Sequence, residues 1–521
     1  MKKILFSIII LLTAIVTMAY LYFSKLNTAH ASSDLSLYAA VSKSGFVFSF
    51  ENDKSILDIF KGQDSFEEII GADKAKEMQS LKTFLLSSPG INKLFHKQTI
   101  YLSFIPEAKE INYLLSTQSE TKINNHQLFQ VLKSRNILLD KDNASNTTKI
   151  TLPDSTVFYL GVKDQLVLLS NTLKPVKELL SKTFDKKDDK FVAYIKSGSK
   201  LSKNSLAQLY LDFNRIPTVL KTIMPGKLTG ELAVLNHQNA FALLSYNFSK
   251  ERVLFTGTTH TNDPHSYYQL FSETPPQKIT INTILPEQTA NYNLYAVDNY
   301  ANWRKKLDQW FTYHKEDKKR AKLIEDINQK YHLNLEALFP KYFRNQFLNF
   351  QLSNTEKLGA INLTNGDKLN QLLLDLSENY SDDIKQFKEA DILYAYFGMP
   401  FKDYKKPYYL IIDNYLVFSN HAGPLQGFLN DYRNNKLLIN THSYTNVNNQ
   451  LPNNSNINFY VDHQNSTELL NKNIYLPYLK HLQSEKGLKQ YEAFVYQLSG
   501  DNGTFQSNIL LSKPLVIEKD F

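Results

Sequence analysis

Two aspartates stand at matching places in the chain, Asp212 at the end of LAQLYLD and Asp462 at the end of NINFYVD. A pair of carboxylates can act as the general acid and the general base of a hydrolase. Each aspartate, however, comes just before a predicted helix, where its side chain can accept hydrogen bonds from the unpaired N–H groups of the first turn. A residue present in both copies of a repeat also suits a scaffold, because both copies need the same turn. We therefore interpret both aspartates as capping residues.

A second polar cluster, HTNDPH, places His260 and His265 on either side of Asp263. Structural zinc sites usually use four ligands and catalytic sites three in fixed geometry, so we interpret the segment as a polar turn and expect no metal. The chain also lacks cysteine, which excludes disulfides and thiolate chemistry. The sequence contains neither a serine nucleophile elbow nor a glycine-rich phosphate loop. These observations predict no cofactor and weigh against an enzyme.

Two tryptophans, Trp303 and Trp310, lie seven residues apart on a predicted helix, YANWRKKLDQWF. Leu307 and Phe311 share their helix face. An exposed indole pair could dock a partner or stack on a sugar. The same pattern also fits a helix that packs on a sheet. Core packing is the interpretation that we favour for this spacing, and we keep Trp303 and Trp310 as candidate partner-binding residues.

The composition is that of a folded protein of more than one domain. The chain has 521 residues, of which 42% are hydrophobic and 21% are charged, within the range of globular proteins. The net charge of +8 is spread over stretches of mixed sign such as HKEDKKRAK at residues 314–322. Interleaved charge is typical of a solvated surface, so we expect no nucleic-acid partner.

The N-terminus carries a membrane signal. Residues 4–23 contain no charged side chain and follow Lys2 and Lys3. A helix of that length is about 30 Å long and spans a bilayer, with the two lysines on the cytoplasmic side. The tripeptide Ala29-His30-Ala31 leaves a cleaved signal peptide as the alternative. We therefore expect residues 1–32 to be an anchor or signal, and everything after about residue 32 to be exported in either case.

The sequence repeats itself about half its length apart. YLGVKDQLVLLSN at residues 159–171 matches YYLIIDNYLVFSN at residues 408–420, which aligns Asp164 with Asp413. Three further matches follow in the same order: Leu37–Val41 with Leu294–Val297, Leu206–Asp212 with Asn456–Asp462, and Ala240–Phe248 with Ala493–Asp501. Four collinear matches predict a duplication, with repeats at 33–260 and 286–521 and a proline-containing linker at 261–285.

Each repeat alternates period-2 apolar runs with helical patterns. Asp164-Gln165 and Asp413-Asn414 are typical of hairpin turns, and the short spacing between strands indicates antiparallel pairing. We predict an α+β fold of two tandem homologous halves, each a largely antiparallel sheet with packed helices, behind an N-terminal transmembrane helix. In this scheme Leu37–Val41 is the first strand, and the Asn-rich segment 440–456 is the least structured loop of the second half.

A hairpin, a helix, a variable loop and a strand ending in Tyr-Val-Asp occur behind an apolar N-terminus. The residues are Asp413–Asn420, Leu451-Pro452 with Asn458–Asp462, and YHLNLEALFPKYF at residues 331–343. This pattern resembles a bacterial envelope family known only as domain-of-unknown-function family 3352. The first half departs from it, because no proline precedes LAQLYLD. The resemblance implies an envelope location and a duplicated α+β fold, and it implies no known activity.

These features lead to a working hypothesis about function. We expect a membrane-anchored, extracytoplasmic protein that binds or scaffolds without catalysis, its partners being the membrane and an unknown envelope protein or glycan. One alternative is an envelope hydrolase with carboxylates from distant loops. The other is a periplasmic carrier that holds an apolar ligand between sheet and helices.

Overall fold

The computed structural model describes residues 34–51, 68, 72–107, 110–184, 189–198, 207–225, 239–249 and 251–515. The anchor or signal expected at residues 1–32 therefore lies outside the described residues. Within the described ranges, no helix is both long enough and apolar enough to cross a bilayer. The described part of the chain combines helices with antiparallel strands, as the α+β prediction requires.

Within these described ranges, twenty strands form one sheet and two short strands form a separate ribbon. In the first part of the chain the strands are β1 (Phe46–Glu51), β2 (Thr99–Glu107), β3 (Glu110–Gln118), β4 (Leu138–Asp142), β5 (Thr147–Thr151), β6 (Val157–Lys163), β7 (Leu166–Ser170), β8 (Ala207–Asp212), β9 (Ala240–Phe248) and β10 (Arg252–Thr261). The others are β11 (Gln277–Lys278), β12 (Thr289–Ala296), β13 (Phe343–Leu352), β14 (Lys357–Leu363), β15 (Ser377–Asn379), β16 (Lys385–Phe387), β17 (Tyr408–Ile412), β18 (Tyr415–Ser419), β19 (Asn454–Ser455), β20 (Ile457–Asp462), β21 (Ala493–Asp501) and β22 (Thr504–Ser512).

The strand order is the same in the two parts of the sheet. The first ten strands pair in the order β4-β5-β6-β7-β3-β2-β1-β8-β9-β10. The other ten pair in the order β15-β16-β17-β18-β14-β13-β12-β20-β21-β22. The innermost strands, β10 and β22, pair with each other. All these pairings are antiparallel, and β4 and β15 are the two outer strands.

Helices connect the strands and cover both faces of the sheet. In chain order they are α1 (Leu35–Lys43), α2 (Ala72–Leu81), α3 (Pro89–Phe95), α4 (Asn125–Lys133), α5 (Leu173–Ser181), α6 (Lys190–Gly198), α7 (Ile216–Ile223), α8 (Gln269–Ser272), α9 (Tyr300–Tyr313), α10 (Asp317–Tyr331), α11 (Leu335–Tyr342), α12 (Gly366–Leu372), α13 (Ile392–Phe397), α14 (Ala422–Arg433), α15 (His442–Asn448), α16 (Thr467–Asn473) and α17 (Leu476–Leu482). A π-helix, Lys82–Leu86, directly follows α2. Because both faces are covered, a central strand such as β12 is buried along its whole length.

The strand predicted at Leu37–Val41 is wrong, because these residues lie in helix α1. Asp34 caps this helix and accepts a hydrogen bond from the backbone N–H of Leu37 at 3.0 Å. The topological counterpart of β12 in the first half is β1, which starts at Phe46. The apolar run LYAAV is compatible with either structure, since a short run buried on all sides carries no period that separates helix from strand.

The ladders fix which residues correspond between the halves. Asp164 and Asp413 both occupy the hairpin turn with positive φ, 55° and 49°, as the alignment predicts. Tyr210 and Tyr460 also correspond, since they pair with β1 and β12 at equivalent places. In the last match, however, Asp212 pairs with Phe241 whereas Asp462 pairs with Ala493. The alignment of Phe241 with Phe494 is therefore one residue out, which places the two rings on opposite faces.

The segment predicted as a linker, 261–285, is packed into the structure. It contains α8 and β11, and Phe271 and Ile281 are completely buried. A Cβ atom at Gly500 of β21 would lie 2.5 Å from the carbonyl oxygen of Phe271, so this glycine permits the close approach of α8. The segment is a structural part of the junction between the halves.

The Asn-rich segment 440–456, predicted to be the least structured loop, contains helix α15 and strand β19. Tyr444 and Val447 of this helix are buried, and the Tyr444 hydroxyl lies 3.0 Å from that of Tyr292 in β12. Thr441 caps the helix through its side-chain oxygen. The prediction failed because asparagine and threonine favour caps and turns but do not prevent a short helix that buries two apolar side chains.

Candidate functional site

Both candidate partner-binding tryptophans lie in the core. Trp303 is 1% exposed and Trp310 is 7% exposed. The Trp303 ring packs against Phe347 of β13 at a centroid distance of 5.4 Å, and the Trp310 ring packs against Tyr267 at 5.8 Å. The structure thus corrects the expectation of an exposed indole surface. Core packing, which the same spacing allows, describes these two residues.

Asp212 and Asp462 do not form a common site. Asp212 ends β8 and Asp462 ends β20. Five successive antiparallel pairings connect these two strands, so they run in opposite directions and their carboxylates lie at opposite strand ends of the sheet. Asp212 accepts a hydrogen bond from the backbone N–H of Asn214 at 3.0 Å. Asp462 accepts one from the backbone N–H of Asn465 at 2.8 Å. Both aspartates therefore stabilise the turn before a helix.

Asp462 also has a perturbed acidity. Burial raises the pKa of its carboxyl group, and the hydrogen bond from Asn465 and that from the Tyr460 hydroxyl, at 3.1 Å, partly offset this effect. The helices that follow begin with other N-cap residues, Arg215 and Ser466. The prediction that Asp212 and Asp462 cap these helices is therefore wrong, although both accept backbone hydrogen bonds in the preceding turn.

The histidine segment forms ring stacks. The His265 imidazole stacks on the Tyr313 ring at a centroid distance of 3.5 Å, and His260 stacks on Tyr194 at 6.3 Å. Asp263 accepts a hydrogen bond from the backbone N–H of His265 at 2.9 Å. Among the described residues, no group of three or more histidines, aspartates and glutamates is arranged to hold a metal ion.

An apolar cavity lies in the first half, between the sheet and the helices that cover one of its faces. Its volume is about 80 Å³. The helices and the π-helix contribute Leu81, Leu85, Leu86, Ile91, Leu128 and Leu132, and the strands contribute Ile100, Leu115, Thr117, Val167 and Leu169. This cavity lies where a ligand would be held between sheet and helices.

Among the described lining residues, no hydrogen-bonding side chain is free. Its two polar residues, Ser116 and Thr117, are engaged by the protein itself. The Ser116 hydroxyl donates to the carbonyl oxygen of Ser36 at 2.8 Å, and the Thr117 hydroxyl donates to that of Thr99 at 2.9 Å. A sugar, nucleotide or peptide would bury polar groups here without partners, at a cost of about 1–3 kcal/mol each. The cavity therefore selects apolar groups.

At several positions the cavity is lined by side chains that are smaller than their counterparts in the second half. The ladders match Ile100 to Phe347 and Leu169 to Phe418. In the second half the same space is filled by rings, with Phe347 packed against Phe397 at 4.9 Å and Phe401 packed against Phe418 at 4.8 Å. The second half is thus close-packed where the first half is open.

A glycine accompanies the aromatic filling. A Cβ atom at Gly359 would lie 2.4 Å from the Phe418 ring, so the ring needs a glycine beside it. The matching pair in the first half is Leu115 and Leu169. The two halves therefore use different side-chain combinations at the same place, and only the combination in the first half leaves space.

The wall of the cavity contains the π-helix. Leu85 and Leu86 belong to it and both line the cavity. A π-helical turn is rare and occurs frequently at functional sites, because the wider turn redirects side chains and weakens the hydrogen-bond ladder. The position of this turn is a second, independent feature that points to the same location.

Sequence reasoning did not find the cavity residues. No polar motif marks them, since the site is made of leucines and isoleucines that are typical of any core. A usable signal was present in the comparison of the halves, because Ile100 and Val167 stand where the second half has Phe347 and Leu416. That signal requires the correct register, which the sequence matches supplied for the hairpin and for β8 and β20 but not for β2 and β13.

Comparison of the chain with models of known families, with curated proteins and with solved structures finds no match in any of the three. The assignment of function therefore rests on the geometry of this chain alone.

Proposed function

We propose that this protein is a non-enzymatic binding protein of the bacterial cell envelope that holds an apolar ligand between the sheet and the helices of its first half. The observation that carries the proposal is the apolar cavity, whose two polar side chains are both satisfied within the protein. Of the hypotheses raised by the sequence, the carrier of an apolar ligand is the one that this feature favours.

The size of the cavity restricts the ligand. An engineered apolar cavity of about 150 Å³ stays dry and binds benzene, and this cavity, at about 80 Å³, is smaller. It suits a narrow group such as the terminal methyl and neighbouring methylene groups of an unbranched chain. Each methylene that is buried contributes about 0.8 kcal/mol to binding, so a ligand gains further affinity if α2, α3 and α4 separate to admit more of it.

The proposal includes two homologous halves with different tasks. The identical strand order and the matching positive-φ aspartates, Asp164 and Asp413, support an origin by duplication. In this view the second half, filled by aromatic side chains, provides rigidity, while the first half receives the ligand. The anchor at residues 4–23 and the resemblance to the envelope family belong to the same proposal.

The enzyme alternative has less support. A hydrolase built on Asp212 and Asp462 would need the two carboxylates in one cleft. They lie instead at opposite strand ends of the sheet. Each also has a structural role in its own turn.

The test is to fill the cavity with the residues that the second half uses. We expect the double variant Ile100→Phe, Val167→Leu of the full chain to bind a fluorescent polyene fatty acid at least about tenfold more weakly, since the loss of about two buried methylenes has this effect. Thermal unfolding should remain cooperative, because these side chains already pack at the matching place in the second half. Displacement of the fluorescent probe measures the affinity.

A matched control places the same kind of change outside the cavity. Leu138 is 70% exposed on the outer strand β4, so Leu138→Phe should leave probe binding unchanged. Equal binding by the filled variant and the parent protein would contradict the proposal, because the probe would then sit elsewhere.

A further inference from the structure

The first described residues of the chain contact the sheet at the strand ends that lie beside the cavity. The backbone N–H of Leu35, at the start of α1, donates to the side-chain oxygen of Gln118 at 2.7 Å. The Tyr101 hydroxyl donates to the carboxylate of Asp34 at 2.7 Å. Gln118 is the last residue of β3 and Tyr101 is near the start of β2. The first described residues are therefore held at the start of β2 and the end of β3.

The cavity lining includes the immediate neighbours of these contact residues. Ile100 precedes Tyr101 and Thr117 precedes Gln118, and both line the cavity. Because side chains alternate along a strand, Ile100 faces the cavity while Tyr101 faces α1. In keeping with this, Ile100 belongs to the core cluster of the cavity and Tyr101 to the cluster around α1. The cavity and the first described residues therefore lie at the same strand ends of the sheet, on opposite faces.

The tether to the expected anchor is short. Ten residues, 24–33, separate the apolar run at residues 4–23 from Asp34. Even fully extended, they reach at most about 35 Å. With residues 4–23 in the bilayer, as the sequence predicts, the strand ends beside the cavity are held within that distance of the membrane, whereas the rest of the sheet can lie further away.

We propose that the ligand is the acyl chain of a membrane lipid, taken from the bilayer in which the chain is anchored. This inference rests on the proposed function, because it names the ligand class for the same cavity. A lipid presents an unbranched apolar chain and keeps its polar headgroup outside, which agrees with a lining that leaves no free polar side chain. A free fatty acid has the same acyl chemistry but reaches the cavity through water.

The experiment compares the two sources with matched photoreactive probes. The full chain is reconstituted in vesicles of phosphatidylethanolamine and phosphatidylglycerol. In one arm the vesicles contain a phospholipid with a diazirine at the end of an acyl chain, and in the other a fatty acid with the same diazirine is added in solution. After irradiation, mass spectrometry locates the adducts. We expect the phospholipid to label peptides that contain α2, α3 and α4.

Three further outcomes separate the two proposals. Labelling by the fatty acid alone would leave the proposed function standing and overturn the membrane source. Labelling by neither probe would overturn both proposals. Equal phospholipid labelling of α2–α4 and of their second-half counterparts α9–α12 would also overturn the inference, because the second half is filled by aromatic rings.

The filled variant connects the label to the cavity. In Ile100→Phe, Val167→Leu, phospholipid labelling of α2–α4 should fall by about tenfold or more, the change expected when about two methylenes lose their burial. Leu138→Phe should label like the parent protein. Undiminished labelling of the filled variant would show that the lipid contacts the outside of the helices and would overturn the inference.

Discussion

At the scale of single residues, the two tryptophans show what a sequence pattern leaves open. Trp303 and Trp310 occupy one face of α9 with Leu307 and Phe311, all four of them buried. The same spacing would serve an exposed docking face, because periodicity identifies which residues share a face but not what covers it. The covering residues, such as Phe271 and Phe347, come from distant parts of the chain.

The structure predicts a large effect of removing either indole. Trp303→Ala should lower the free energy of unfolding by about 3–5 kcal/mol, because a buried aromatic side chain is replaced by a cavity. Tyr313→Ala on the same helix is the control, since Tyr313 is 54% exposed and surface changes usually stay within about 0.5 kcal/mol. Urea unfolding followed by tryptophan fluorescence measures both, through Trp310 in Trp303→Ala and through both indoles in Tyr313→Ala. Similar losses for the two variants would contradict the burial of Trp303.

At the scale of elements, the duplicated hairpin is the feature that the sequence predicts best. The turn Asp164-Gln165 joins β6 to β7 and the turn Asp413-Asn414 joins β17 to β18, both with the expected register. Local turn chemistry specifies such an element without help from the rest of the chain. The helix at Leu37–Val41 and the helix in the Asn-rich segment were missed because their tertiary partners, rather than their own residues, decide the structure.

The conformation of the turn gives a prediction for Asp164. Its φ of 55° is left-handed, which costs most L-residues about 1–2 kcal/mol and glycine almost nothing. Asp164→Ala should therefore be less stable than Asp164→Gly by about 1 kcal/mol. The ion pair with Lys122, at 3.1 Å between exposed side chains, is lost equally in both variants and contributes little. Thermal unfolding of the pair provides the comparison, and a more stable alanine variant would contradict this account.

The candidate cavity is also formed at the level of individual strands and helices. The cavity depends on differences in side-chain size between corresponding strands of the two halves. For example, β2 has Ile100 where β13 has Phe347. A search for chemical motifs in the sequence cannot detect a site that consists of small apolar residues in place of larger ones. The helices that surround it were predicted only as generic helical segments. Their packing on the strands could not be predicted from the sequence.

At the scale of the whole molecule, the two halves form one continuous structure. Strands β10 and β22 pair over eight residues, from Arg252–Ser512 to Thr259–Phe505. One hydrophobic core contains residues of both halves, including Leu209 and Phe213 from the first and Trp303 from the second. Glu68 of the first half also accepts hydrogen bonds from Tyr491 and Lys513 of the second, each at 2.8 Å. The sequence predicted the two copies but represented their junction as a linker.

This junction predicts cooperative unfolding. Leu510 of β22 is completely buried, so Leu510→Ala should destabilise the protein by about 2–5 kcal/mol. Because the sheet and core are continuous, the loss should lower the unfolding temperature of both halves together. Hydrogen exchange of β2 and β13 during unfolding reports on each half separately. Unchanged protection of β2 beside weakened β13 would show that the halves unfold independently.

The two outer strands of the sheet have a consequence for the behaviour of the protein at high concentration. In the described part of the chain the sheet is open and ends at β4 and β15. A free sheet edge can add strands from other molecules and grow into a fibre. Here β15 has only three residues, and β4 carries Asp140, Lys141 and Asp142 in succession. A short edge and a charged edge both disfavour such addition. Both outer strands of the described sheet are thus poor templates for strand addition, so the sheet should not grow from one molecule into the next at high concentration.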